Sequence, residues 1–148
     1  MNASTPQRAD VVIVRAMTEA DLPAARELWA SAEGVELAEG DSLEELVVYL
    51  GRNPGSSHVA IEGPRMVGAV LAGHDGRRGL VYHLAVAPTH RGRRVGRELV
   101  ARSLAALKAQ GVTRVLGLVA RDNPAGREFW IRCGWEPLEF AEPIAVDL

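Results

Sequence analysis

Four arginines crowd one short turn of this chain. In the run Leu84-Ala85-Val86-Ala87-Pro88-Thr89-His90-Arg91-Gly92-Arg93-Arg94-Val95-Gly96-Arg97, an apolar strand leads through a Gly/Arg loop into a helix. The first N–H groups of a helix have no partner within it and lie at the positive end of its dipole, so a loop entering there can wrap an anion. Arg91, Arg93, Arg94 and Arg97 add charge at the same point, and Gly96 is expected to leave backbone uncovered for close approach. The chemistry expected is the grip of a diphosphate. A nucleoside-triphosphate loop does not fit, because the glycines are too close and no Lys-Ser/Thr pair follows the second. A nucleic-acid face needs a broader basic surface with stacking aromatics, whereas this is one loop on a chain of net charge -2. A solvated, Arg-rich helix start is the alternative that the loop alone leaves open.

The elements that position this turn follow from local pattern. Val11–Arg15 is a β-branched run and reads as a strand. Thr18 and Asp21 both offer N-caps for a helix to about Ala32, and Asp21 is preferred because it places Pro23 in the first turn. Ser42 with Glu45 forms a capping box for a second helix, with Leu43, Leu46, Val47 and Leu50 as its apolar stripe and Gly51 as its stop. After a turn at Asn53-Pro54-Gly55, Ser57–Glu62 pairs with Arg65–Gly73 across Gly63-Pro64, and that strand pairs with Leu80–Ala87 across Asp75-Gly76. A helix spans about Arg93 to Ala109, with Val95, Leu99, Ser103 or Leu104, and Leu107 on one face and Gly111 as its stop. Val112–Ala120 is the next strand. Asn123 caps a short helix with Pro124 at its first position, Gly134 supplies a left-handed C-terminal residue, and a final strand is expected in Ile144–Leu148. The order is β-α-α-β-β-β-α-β-α-β, an α/β (α+β) domain over residues 10–148 with a mixed, mostly antiparallel sheet flanked by helices, preceded by a polar tail at residues 1–9.

Bulk properties agree with one domain and one site: 148 residues, 47% hydrophobic and 24% charged. No run approaches the roughly 18 apolar residues of a membrane span, and the polar start lacks the apolar core of a secretory signal, so a cytoplasmic location away from membranes is expected. Cys133 is the only cysteine and cannot form an internal disulfide; its place before Gly134 suits a buried structural residue.

The run from Leu84 to Gly96 resembles the acetyl-CoA signature of the GNAT family of N-acetyltransferases, Q/R-x-x-G-x-G/A after a strand of the form L-x-V-x-P. Arg91 and Gly96 match, while Arg94 stands at the first motif glycine. A second block is similar to the same family: Asn123, Gly126 where alanine is usual, Trp130, and Gly134-Trp135 closing the helix. The turn Gly73-His74-Asp75-Gly76-Arg77-Arg78-Gly79 is similar to that of the small bacterial YpeA-like acetyltransferases. The resemblance covers nearly the whole chain after residue 9.

It implies an acetyl-CoA-dependent N-acetyltransferase in which a neutral amine attacks the thioester directly in a ternary complex, with no metal. Arg91, Gly92, Arg93, Arg94, Val95, Gly96 and Arg97 would hold the diphosphate. Pantetheine would lie between Leu84-Ala85-Val86 and the splayed strand Val115–Val119, bonding to exposed backbone, with the amide of Val86 as oxyanion donor. Asn123, Gly126 and Trp130 would also face the cofactor, Asn123 serving equally as a helix cap. Relatives carry a Glu at the position of Leu80 and a Tyr at that of Trp130, and neither residue found here can move a proton. The base is left between Tyr82 and His83, which are expected to face opposite sides of the strand; His83 has the better intrinsic pKa, about 6.5. His74 and Asp75 are further candidates, although Asp75-Gly76 is already explained as a turn. No protein acid is expected, since a thiol of pKa about 8.5 can leave as thiolate.

Two clues to the acceptor conflict. Glu33, Glu36, Glu39, Asp41, Glu44 and Glu45, with no basic residue among them, would draw a cationic amine, unless they are merely a solvated face. Arg77 and Arg78 would instead hold a carboxylate of an amino acid or peptide. The expected partner is an amine-bearing small molecule or peptide, not nucleic acid or membrane, and the protein a monomer or homodimer. Leu80 and Trp130 keep a rival in view, a non-catalytic acyl-CoA sensor or interaction module.

Overall fold

In the computed structural model, which describes residues 11–148, the β-branched run forms β1 (Val12–Ala16); the expected tail, residues 1–9, lies outside the described residues. A 3-10 turn at Glu19–Asp21 leads into α1 (Leu22–Ser31), with Pro23 in its first turn. Asp21 precedes α1 as expected, yet its side chain does not cap that helix. Its carboxylate turns back to accept the Thr18 N–H at 2.8 Å and both arms of the Arg15 guanidinium at 2.7 and 2.9 Å. Arg15 accordingly holds the Asp21 carboxyl below the usual carboxylate range. α2 (Leu43–Arg52) opens on the expected capping box, with the Glu45 N–H donating to Ser42 Oγ at 3.2 Å. It runs past Gly51 because Asn53 closes it: the Asn53 amide donates to the Tyr49 carbonyl and accepts the His74 N–H.

β2 (His58–Glu62), β3 (Arg65–His74) and β4 (Gly79–Val86) form the meander, and β5 (Val115–Gly117) completes a sheet of order β1-β2-β3-β4-β5. The first three pairings are antiparallel and β4–β5 is parallel, which is the mixed sheet expected. α1 and α2 cover one face, where Leu22, Ala25, Trp29 and Leu46 pack on Val59, Ala69, Leu71 and Ala85. α3 (Val95–Ala109) covers the other, so close at Gly68 that an added Cβ would lie 2.8 Å from Leu99 Cδ1. α3 begins two residues later than expected, because Arg94 adopts the left-handed region at φ 65° and cannot join the helix. β5 is shorter than the expected Val112–Ala120: the Val112 N–H is engaged by the Leu107 carbonyl at 3.1 Å, closing α3 instead of starting a strand.

The chain divides into two compact units, the first ending at Leu118 and the second spanning Val119–Leu148. In the second, α4 (Pro124–Arg132) is capped by Asn123, whose Oδ1 accepts the Gly126 N–H at 3.1 Å, and Gly134 is left-handed at φ 91°. Trp130 packs edge-on against Phe129 and Trp135, with centroids 5.3 and 4.8 Å away. Cys133 is half-buried at the helix end rather than enclosed. The expected strand at Ile144–Leu148 is not formed: Ile144, Val146 and Leu148 are exposed, and five residues without a neighbouring strand have nothing to hold them extended.

Candidate active site

β4 changes character halfway along. Its first residues pair on both sides, with β3 and, through Gly79↔Val115, Leu80↔Leu116 and Val81↔Gly117, with β5. Then β5 ends, and the β3 ladder shifts register: Leu71 opposes Tyr82, but Ala69 opposes Ala85. The extra residue is a bulge centred on His83, which adopts φ 48°. A left-handed non-glycine residue costs on the order of 1–3 kcal/mol, so the surrounding contacts must hold it there. Trp29 does part of this, its indole N–H donating to the Ala69 carbonyl at 3.3 Å and its ring lying 5.4 Å from the imidazole.

The bulge overturns the expectation that Tyr82 and His83 face opposite sides. Tyr82 packs on the α1/α2 core, and His83, 6.2 Å away ring to ring, lies against Trp29 in that core. Beyond the bulge the ladder is regular again, and the Ala87 N–H bonds to the Val67 carbonyl at 2.8 Å. Alternation along an antiparallel strand then turns the N–H and C=O of Val86 and Leu84 away from β3, to the side where β5 has stopped. Leu84 and Val86 thus turn main-chain donors and acceptors to that side, whereas Ala85, expected to do the same, faces its partner Ala69 on β3.

At the end of β4 a 3-10 turn, Pro88–His90, leads to the arginines. His90 tethers it: buried, it bonds through Nε2 to Glu62 Oε2 at 2.9 Å and through Nδ1 to Thr89 Oγ1 at 2.7 Å. Gly92 (φ 75°) and Arg94 then fold the loop into α3, whose start has no side-chain cap. The N–H groups of Val95, Gly96 and Arg97 have no partner among the described residues. Arg91, Arg93, Arg94 and Arg97 are all exposed, and the ion pairs among the described residues, Arg15–Asp21, His83–Asp41, His90–Glu62 and Arg132–Glu128, neutralise none of them. Gly96 is buried together with Val95 in the first turn of α3.

Of the titratable candidates, His83 is hydrogen-bonded through Nε2 to Asp41 Oδ1 at 2.8 Å. Burial pushes the Tyr82 phenol above its usual pKa. His74 has both ring nitrogens engaged, with Gln110 Oε1 and the Gly76 N–H, and Asp75 Oδ1 accepts the N–H groups of Arg77 and Arg78, so this pair is turn structure. Most of the acidic stretch is exposed, but Asp41 is 8% exposed, which composition could not reveal. Within the second unit Asn123 folds back on its own helix, and a side chain at Gly126 would collide with it. Trp130 is engaged in the aromatic cluster already described. A cavity of about 490 Å³, lined by Leu104, Lys108, Gly111, Val112, Thr113 and Val115, lies at the opposite end of α3 from the arginines. Among the described residues no three His, Cys, Asp or Glu side chains gather as a metal site, and no helix is long and apolar enough to cross a membrane.

Known proteins share sequence or fold with this chain. An acetyltransferase of Photorhabdus laumondii is 40% identical over 60 residues, 40% of this chain and 42% of that one. The matched segment spans about half the length of the curated relatives. A putative acetyltransferase from Agrobacterium tumefaciens superposes with a TM-score of 0.70 at 22% identity, covering 90% of this chain and 99% of that one. The aminoglycoside N-acetyltransferase AAC(6')-Iy, solved in complex with CoA, superposes with a TM-score of 0.73 at 16% identity, covering 96% and 99%. At such identities the likeness is one of fold. The sequence profile of the acetyltransferase (GNAT) family, however, matches residues 15–135, and the chain belongs to that family.

Proposed function

We propose that the protein is an acetyl-CoA-dependent N-acetyltransferase that acts on a primary amine of a small molecule, amino acid or peptide, by direct attack with both substrates bound. The observation that carries this reading is a coincidence within the first unit: the unpaired edge of β4 leads directly to an uncapped helix start ringed by unneutralised arginines. The donors fit the ligand. A diphosphate only accepts hydrogen bonds, matching the N–H groups of Val95, Gly96 and Arg97 and the guanidinium groups of Arg91, Arg93, Arg94 and Arg97, with Gly92 giving the loop its turn. Pantetheine amides both donate and accept, as an open strand edge at Leu84 and Val86, on either side of Ala85, requires.

The cosubstrate supplies an acetyl group activated as a thioester. The Val86 N–H, turned to the open side, donates to the carbonyl oxygen where negative charge gathers. An alkylamine of pKa about 10.4 is only about one part in a thousand neutral at pH 7, so a base must take its proton. Tyr82 is poorly suited, because burial keeps its phenol protonated at neutral pH. His83, at the start of the open edge and half-buried, is the base in this reading.

The test is to mix purified protein and acetyl-CoA with a panel of amines, amino acids and peptides, follow free thiol, and measure acetyl-CoA binding by calorimetry. Thiol release above background hydrolysis with at least one acceptor is the expected result. Saturable binding without turnover would make the protein an acyl-CoA sensor, and no binding at all would end the reading.

A further inference from the structure

We infer that Asp41 is a positioning residue for the base, fixing His83 with its proton on Nε2 and its Nδ1 lone pair open, so that the loop between α1 and α2 completes the site. The inference rests on the proposed acetyltransfer and deepens it. An ionised carboxylate only accepts, so the ring nitrogen 2.8 Å from Asp41 Oδ1 must carry the hydrogen in the neutral imidazole. The carboxylate is itself held. Its Oδ2 accepts the Ala38 N–H at 3.0 Å, and the Asp41 carbonyl accepts from Arg26 Nε at 2.8 Å, which pins the residue to α1.

Nδ1 of His83 has no hydrogen-bond partner among the described residues, and none of their buried side-chain nitrogens or oxygens lacks one, so Nδ1 is reached by solvent. It is therefore the nitrogen that can receive a proton from an incoming amine. When it does, Nε2 keeps its hydrogen, and the imidazolium faces a buried negative charge that stabilises it. The other titratable or charged groups around the ring are Tyr82 on β4, Tyr49 of α2 beside Tyr82, and Arg26 behind Asp41; Trp29 supplies an uncharged wall. Arg26 reaches the Asp41 carbonyl rather than its carboxylate, so the carboxylate is left to His83 and Ala38.

The experiment combines ¹⁵N NMR of the imidazole in the unliganded protein with separate measurement of kcat and KM for the wild type, Asp41→Asn, Asp41→Ala and His83→Gln. In the wild type Nε2 should be protonated and Nδ1 bare. Asp41→Ala should mix the tautomers and lower kcat about 10- to 100-fold, with KM for acetyl-CoA unchanged. In Asp41→Asn the single amide oxygen is claimed by the Ala38 N–H, which turns the amide NH2 toward His83, so the imidazole proton should move to Nδ1 and kcat fall at least as far as in Asp41→Ala. A proton found on Nδ1 in the wild type, or an unchanged kcat in both folded Asp41 variants, overturns the inference while acetyltransfer stands. A His83→Gln enzyme with wild-type kcat removes the base and Asp41's role with it, and absence of turnover by the wild type with every acceptor removes the reading beneath both.

Discussion

α2 and α3 begin in opposite ways. At α2 the Ser42 hydroxyl and the Glu45 carboxylate close the first turn on itself, so the helix end needs nothing from outside. At α3 the preceding residue is a left-handed Arg94, no side chain caps the turn, and its first N–H groups face outward among four cations without carboxylate partners. Helix propensity does not separate the two starts. What differs is where the acceptor comes from: the chain itself supplies it at α2, whereas at α3 it is left to the proposed diphosphate.

The contrast can be broken or sharpened by substitution. Arg91→Ala with Arg94→Ala should have the largest effect, weakening acetyl-CoA about 100-fold by calorimetry, at about tenfold for each charge-assisted contact, with a shallower salt dependence than the wild type. Arg94→Gly should divide the two properties: unfolding free energy in urea should rise by about 1 kcal/mol as left-handed strain is relieved, while affinity falls roughly tenfold with one cation gone. Ser42→Ala should cost about 1 kcal/mol of stability and leave acetyl-CoA affinity unchanged, because the closed helix start takes no part in binding. An equal loss of affinity in the Ser42 variant would show that the two helix ends are not independent.

The strands of the meander, the capping box of α2, the Asn123 cap and the arginine turn were legible in the sequence, because each is written in residues close together: turn glycines, a Ser-x-x-Glu spacing, arginines within one turn. What escaped depends on distant partners or on an inserted residue. Nothing in the composition of β4 marks His83 as a bulge, so strict alternation placed Tyr82 and His83 on opposite faces. Asp41 reaches His83 across 42 residues, and in the sequence it looks like any member of an acidic, solvated stretch. The tether from His90 to Glu62 is hidden for the same reason. Apolar alternation at Ile144–Leu148 reads as a strand, but a strand needs a neighbour, and these residues have none.

The bulge has an evolutionary corollary. Deleting one residue between Val81 and Leu84 would remove the bulge yet leave the strand on either side of it paired as before, because the ladder already counts two residues of β3 against three of β4 there. Such a variant would keep its arginines and its ladder and lose only the irregularity that seats two neighbouring rings on one face. In comparing homologues, the length of this short segment is thus as informative as the identity of the residues within it.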